Sequence, residues 1–561
     1  MMQQPDLNSW LNKWFPVIVI IGIAVNASGL FLPILGTDGA LYAHVAKTMS
    51  LNNNFYNLYV EGKDWLDKPH FPFWVTAIFF KIFGINSFAY KLPGLLFWAL
   101  GIFYTYRFTK LFYNDTTAKV AVIIYLTAEH LVLSNNDVRA EPFLTGMVIG
   151  SVYHFYKSYG KTFSLDLVVG SLLAAFAVMT KGLFILLPIG GGFIVHWIIK
   201  KEWNQFFQFR WILAIILTFI FATPELYALY HQVDLHPEKT FIVGDRPDPS
   251  VKSGIKFFLW DSQFGRFFNT GPIKGSGDKA FFLHTLLWAF LPWSLVMYAS
   301  LYRNIKSIVK KDDYAKEYIS LGASILTLLL FSLSKFQLPH YSNIVFPFLG
   351  ILTAHFLCSL KMPKSIKAVY IIQVVIGIIA VLLPVVLLIF FRPPHYILAA
   401  IWITLVLVLS IYWFSKRSMA SAIGIGFATS VLINIFLNGF FYGPLMQYQG
   451  GMKAAWYINE NNPQHLKAGE FDTQSYHYAF YLNQPNYQWS IDELKNEVKQ
   501  QPVLILTERS KLDSLNNAGL KTQVLAPFED FRVAMLTGQF VNYKTRSEAT
   551  KKMVVVKVIN N

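Results

Sequence analysis

Long apolar runs separated by short polar loops dominate this chain. Runs over 15–32, 211–230, 368–391 and 397–414 approach the about 20 residues that a helix needs to cross a hydrocarbon core. They predict helices rather than strands, because a helix satisfies its backbone groups internally where water is missing. The loops alternate in charge, with basic clusters at Arg107/Lys110/Lys119, Lys157/Lys161, Lys200/Lys201/Arg210, Arg303/Lys306/Lys310/Lys311/Lys316, Lys361/Lys364/Lys367 and Lys416/Arg417. The positive-inside rule assigns these to the cytoplasm. Crossings are then expected near 15–33, 88–108, 119–134, 142–157, 165–180, 183–199, 211–231, 281–302, 317–333, 342–360, 368–391, 396–414 and 420–441. That makes about thirteen, with the N-terminus inside and the C-terminus outside. The first run lacks a small-residue cleavage site and reads as a retained helix. Residues 71–83 are apolar but short, with Pro72 and Lys81, and predict a helix lying on the outer membrane surface.

Two outer segments are long, 34–87 and 232–279, and loops of such length are commonly functional. Beyond Tyr442 the pattern turns polar, with alternating or β-branched runs at 503–507, 522–526 and 553–558 and a helical stretch at 510–518. The expected fold is therefore an α-helical polytopic membrane domain over 1–441, followed by a small α/β extracytoplasmic domain over 442–561.

Composition agrees. Of 561 residues, 54% are hydrophobic and only 14% charged, too apolar for a soluble protein of this length. The net charge of +16 sits in short loops between apolar runs, which points to membrane orientation and not to nucleic acid. One cysteine, Cys358, lies in an apolar run and excludes both a disulfide framework and a thiolate metal site within the chain.

Sorted by expected side, the outer loops gather Asp38, Tyr42, Asp67, Lys68, Asp137, Arg139, Glu141, Lys181, Arg266, Lys335, His340 and Tyr341. Any one alone reads as a solvated residue beyond a helix end. Together, carboxylates and cations at one interface suit a lipid-linked phosphate: cations hold the phosphate and a carboxylate serves as base. His70, His340 and Asp67 invite a divalent-metal reading, but without local ligand spacing the histidines are expected as hydrogen-bonding partners. No cofactor is expected. Gly190, Gly191 and Gly192 lie within a run, lack a following Lys-Ser/Thr and predict close helix packing, not a phosphate loop. No nucleotide-binding pattern appears, which favours a lipid-phosphate donor.

Several segments in order resemble the membrane glycosyltransferases that use polyprenyl-phosphate sugars, the GT-C type that includes protein O-mannosyltransferases and lipid A aminoarabinose transferases. They are residues 37–43 (TDGALYA), 65–72 (WLDKPHFP), 83–93 (FGINSFAYKLP), 180–182 (TKG), 334–341 (SKFQLPHY) leading to Phe346-Pro347, and 478–483 (YAFYLN). The resemblance implies that Asp38 is the catalytic carboxylate, that Lys68 contacts the donor phosphate, and that Arg266, in QFGRF, is a looser match to a loop arginine. Tyr341 matches a tyrosine after a Leu-Pro pair, and Asp137, in NNDVRAE, is the second carboxylate. The chain departs from the family at Gly39, where the pattern has Glu, at Leu41 in place of Arg, and at His70 in place of the second Pro of an acidic-Lys-Pro-Pro motif. The expected activity is transfer of a sugar from a polyprenyl-phosphate donor to a lipid, protein or glycan acceptor at the outer face of the cytoplasmic membrane. A flippase of lipid-linked sugars would need charge toward the midplane or on both faces. A glycan polymerase or ligase would share the donor chemistry with a different acceptor.

Overall fold

The computed structural model describes residues 6–244, 246–268 and 275–560. Among the described residues, six helices are long and apolar enough to cross a membrane: Leu7–Ala27, Leu183–Lys200, Pro339–Ser359, Pro363–Phe390, Tyr396–Phe414 and Met419–Met446. Two bent pairs raise the number to eight, Asp115–Thr127 with Glu129–Asn136 at 50° and Phe209–Phe221 with Thr223–Asp234 at 43°. The chain is a multi-pass membrane protein. The other five expected crossings coincide with helices that fall short of that standard through length, charge or a break, so the count of thirteen remains an expectation.

The first helix, α1 (Leu7–Ala27), lies toward the N-terminus of its expected position. It stops at Ala27 because the following turn is held from outside. The buried Lys91 ammonium donates to the carbonyls of Gly29 at 2.8 Å, Leu32 at 2.9 Å and Pro33 at 3.3 Å. Orphan carbonyls after a helix need donors, and here a cation supplies them, so residues 28–33 do not continue the helix.

Residues 37–52, expected only as part of a long loop, form α2 (Thr37–Asn52). The hairpin β1 (Tyr59–Val60) and β2 (Lys63–Asp64) follows, turning through Glu61 and Gly62 at φ 52° and 76°, the left-handed pair that a two-residue hairpin requires. Then comes α3 (Phe71–Phe83), at its expected bounds. It buries Phe71, Phe73, Ala77 and Phe80 and leaves Ile78, Ile82 and Phe83 exposed, the distribution a helix at a bilayer surface presents.

Next in order are α4 (Ser87–Phe112), α5 (Asp115–Thr127), α6 (Glu129–Asn136), α7 (Glu141–Lys157) and α8 (Leu165–Lys181). The α4–α7 pair packs through small residues: a Cβ on Gly146 would stand 2.1 Å from the Phe97 carbonyl oxygen, so only glycine permits that approach. Gly192 plays the same part against Ile319, whose carbonyl oxygen would lie 2.7 Å from an added Cβ. The second long loop folds onto the first. Its hairpin, β3 (Phe241–Val243) with β4 (Arg246–Asp248), bridges Ile242 to Trp65, and Leu66 N–H donates to the Ile242 carbonyl at 2.8 Å.

The C-terminal unit is a five-stranded sheet in the order β6-β5-β7-β9-β8, with β5 (Ala468–Glu470), β6 (Asn486–Gln488), β7 (Val503–Glu508), β8 (Leu520–Asp530) and β9 (Lys551–Asn560). Strands β5, β6 and β7 are parallel, and β9 runs antiparallel to β7 and β8. Both faces of the centre are covered, which explains the continuous apolar run in β7. Val503, Ile505, Val554 and Val556 pack with Leu494 and Leu515 on one side, and Leu504, Leu506 and Val555 with Ala455, Ile458 and Tyr478 on the other.

Candidate functional site

The N-terminus of α2 carries Asp38 in its first turn. Gly36 caps that helix, and its N–H donates to Asp137 Oδ1 at 2.9 Å. A Cβ on Gly36 would approach that oxygen to 2.5 Å, so the residue before Thr37 is glycine for reasons of space. Asp137 follows α6 directly. Two residues on, Arg139 turns back and joins both acids, with Nη1 at 2.9 Å from Asp38 Oδ2 and Nη2 at 3.1 Å from Asp137 Oδ2. The Asp38 side chain is 51% exposed, against 19% for Asp137. Asp38 therefore faces the open space while Asp137 braces it from behind.

A second wall comes from the residues before α3. Lys68 Nζ pairs with Asp67 at 2.6 Å. The segment is anchored by His70, whose N–H donates to Glu225 Oε2 at 2.9 Å while Nδ1 meets Glu225 Oε1 at 3.0 Å and Nε2 meets the Tyr56 carbonyl at 3.0 Å. Both His70 and Glu225 side chains are fully buried. His70 thus has a specific partner, 155 residues away.

Glu141 at the start of α7 and Lys181 at the end of α8 form the third wall as a buried ion pair, with His340 Nε2 3.8 Å from the same carboxylate. The Lys181 ammonium stands 4.2 Å from the centre of the Tyr341 ring, a cation–π distance. Gly182, at φ 95°, ends α8 in a conformation that L side chains rarely adopt.

These walls enclose a cavity of about 740 Å³. Asp38, Tyr42, Asp67, Lys68, Arg139, Glu141, Lys181, Arg246, His340 and Tyr341 supply its polar lining, and Leu41, Phe184, Ile185, Phe257, Phe258, Phe267, Phe331 and Ile344 its apolar lining. Burial, with Asp38 and Asp67 close by, pushes the Tyr42 phenol well above its ordinary range, so it stays protonated and can donate. A cavity lined by both cations and acids and by rings and aliphatics matches an amphiphile with an anionic head.

Of the residues singled out from sequence, Asp38, Tyr42, Asp67, Lys68, Arg139, Glu141, Lys181, His340 and Tyr341 line this one cavity. Two do not. Asp137 sits behind Arg139 and Gly36. Lys335 is exposed and lies outside the lining, although its neighbours Ser334 and Phe336 belong to it. Arg266 falls on the helix Ser262–Phe268 beside lining residues Gln263 and Phe267, and its side chain lies outside the described residues. Glu225, Arg246 and Gln263 line the cavity without having been singled out. Only Arg246, a cation in the long charged loop, left a sequence signal. Among the described residues no group of three His, Cys, Asp or Glu side chains is placed to hold a metal ion. His70 and His340 serve different carboxylates.

A family profile described as dolichyl-phosphate-mannose-protein mannosyltransferase matches residues 67–227. The undecaprenyl phosphate-alpha-4-amino-4-deoxy-L-arabinose arabinosyl transferase of Erwinia tasmaniensis is 24% identical over 355 residues, 62% of this chain and 60% of that protein. The matched stretch thus spans less than two thirds of that relative. The crystal structure of ArnT from Cupriavidus metallidurans bound to undecaprenyl phosphate superposes with a TM-score of 0.74 at 17% identity, over 97% of this chain and 98% of that one. The oligosaccharyltransferase of Archaeoglobus fulgidus superposes with a TM-score of 0.51 at 10% identity, over 91% of this chain and 71% of that one. The chain has the fold of ArnT, C-terminal unit included, and resembles in sequence the polyprenyl-phosphate-dependent membrane glycosyltransferases.

Proposed function

We propose that this protein is an integral membrane glycosyltransferase that moves a sugar from a polyprenyl-phosphate donor to an acceptor at the outer face of the cytoplasmic membrane, with Asp38 as general base. The observation that carries this reading is the cavity, whose lining combines Asp38 with Lys68, Lys181 and a set of apolar side chains. In the transfer, the acceptor hydroxyl or amine gives its proton to the Asp38 carboxylate as its lone pair bonds to the anomeric carbon. The bond from that carbon to the phosphate oxygen breaks, and polyprenyl phosphate leaves with the electron pair. Negative charge grows on the leaving phosphate, where Lys68, Lys181 and Arg246 can oppose it. The lipid tail enters sideways between helices, past Phe257, Phe258 and Phe331.

The proposed sidedness has the cavity and the C-terminal unit outside and the N-terminus inside. It is supported by α4 and α7, which start at the cavity end and finish at the basic residues Arg107, Lys110 and Lys157. The test is Asp38→Asn in proteoliposomes supplied with the sugar-lipid that accumulates in a deletion strain. Donor binding is expected to survive and turnover to disappear; undiminished transfer would remove Asp38 from the base role. The sugar follows from the same lipid analysis.

A further inference from the structure

Four backbone polar groups of the segment 34–36, directly before the Asp38 helix, are held by side chains from elsewhere. One holder is Asp137, on Gly36 N–H. The other three come from the C-terminal unit. Ile34 N–H donates to the Tyr481 hydroxyl at 2.8 Å, His477 Nε2 meets the Ile34 carbonyl at 3.1 Å, and Gln449 Nε2 donates to the Leu35 carbonyl at 2.7 Å. The Tyr481 hydroxyl is itself fixed by Ser87 Oγ at 2.8 Å.

The far end of α2 is held by the same unit. Lys47, about two and a half turns on from Asp38 and only 7% exposed, sends its ammonium to the carbonyls of Ala479 at 2.9 Å, Phe480 at 3.0 Å and Leu482 at 2.5 Å. These carbonyls end the short helix Tyr476–Tyr481. Carbonyls at a helix C-terminus have no intrahelical donor and carry partial negative charge, so the buried cation and the helix end satisfy each other. Burying an ammonium for packing alone is costly; three aimed carbonyls make it a specific joint.

We infer that the C-terminal unit is a working part of the reaction site: Lys47, His477 and Tyr481 are positioning residues that clamp both ends of α2 and thereby set where Asp38 points. The inference rests on Asp38 being the base. None of the three lines the cavity, so they touch neither donor nor acceptor and act through the helix. Misplacing a reacting group by about 1 Å costs a large factor in rate without weakening substrate binding to match. The clamp therefore belongs in kcat.

The experiment uses the full chain in proteoliposomes, with Lys47→Met, Lys47→Arg and Tyr481→Phe. Three quantities are measured: kcat and KM for the sugar-lipid, the melting temperature, and hydrogen exchange of the amides over residues 34–41. Expected for Lys47→Met and Tyr481→Phe are a kcat lowered by about tenfold or more, a donor KM within about twofold of wild type, and faster exchange at those amides. Lys47→Arg, which keeps the charge and donors, recovers part of the loss. Tyr481→Phe removes one oxygen only and serves if Lys47→Met does not fold. Unchanged kcat overturns the proposal, whether or not exchange accelerates, and so does a loss confined to KM. Failure of the base reading is separate: it appears as turnover in Asp38→Asn, while exchange over residues 34–41 still reports whether the clamp exists.

Discussion

Arg139 is the residue whose removal tests the site most directly, because one guanidinium bridges the exposed acid and the braced one. Its contact with Asp137 is largely shielded, and a hydrogen bond to a charged group in such a setting is worth about 1.5–3 kcal/mol. The contact with Asp38 is half open to solvent and is held to about 0.2–1 kcal/mol by screening. Together the two contacts contribute about 2–4 kcal/mol, or about 30- to 900-fold in rate if they serve to hold Asp38 in its reacting position. Arg139→Gln should therefore lower kcat/KM by a factor in that range and reduce the melting temperature, since Asp137 then keeps only Gly36 as partner. Arg139→Lys restores charge but cannot fork between two carboxylates, so recovery should stay partial. The assay is transfer in proteoliposomes at fixed ionic strength, with melting followed in parallel. An Arg139→Gln enzyme that melts normally and retains kcat/KM within about twofold would refute the bridge as a catalytic support.

Two further substitutions probe the scaffold. In Gly182→Ala the new Cβ would lie 2.1 Å from Gln263 Nε2 at a backbone φ of 95°, and the strained backbone alone costs about 1–3 kcal/mol. Its melting temperature should fall, and adding Gln263→Ala should relieve the clash but not the backbone share. A double variant as stable as wild type would contradict the left-handed assignment. Burial, with Glu61 nearby, holds the Glu470 carboxyl at about 8 against an ordinary 4.5, although Asn486 donates to it and pulls the other way. The folded chain then keeps a proton that the unfolded chain releases, so stability falls as pH climbs from about 4.5 to about 8, by at most about 1.4 kcal/mol per unit. Glu470→Gln should flatten that slope in melting curves taken between pH 5 and 8; an unchanged slope would assign it to another group.

The helices are written in local patterns, and so α3 and the strands near 503, 522 and 553 lie where alternation and apolar runs place them. Helix α2 is not legible, because it is buried on nearly every side, from Ala40 and Leu41 through His44 and Lys47, and shows no polar stripe. Strands β5 and β6 are three residues each, too short to alternate. The bends do have signals: Pro224 follows the break at Ala222 and Pro292 sits between the helices Phe281–Ala289 and Ser294–Lys310. At the site, sorting charges by side of the membrane gathers most of the lining, since side is what loops share. It cannot separate Lys335, which stands exposed after the helix Ile319–Leu333, from Lys181, which ends α8 and lines the cavity. Nor can it find Glu225, whose role depends on His70 from the first loop. Pairings across such distances in sequence exist only after folding.

The Ile34–Tyr481 contact joins residues 447 positions apart, and this sets a schedule. With synthesis at about 5–20 residues per second, the segment before Asp38 leaves the ribosome tens of seconds before the residues that hold it in place. Until the C-terminal unit is made, residues 34–36 lack three of the four side chains that hold them. A chain terminated upstream of residue 449 keeps, of these four, the Asp137 contact, so the turn before Asp38 is among the first segments made and among the last completed.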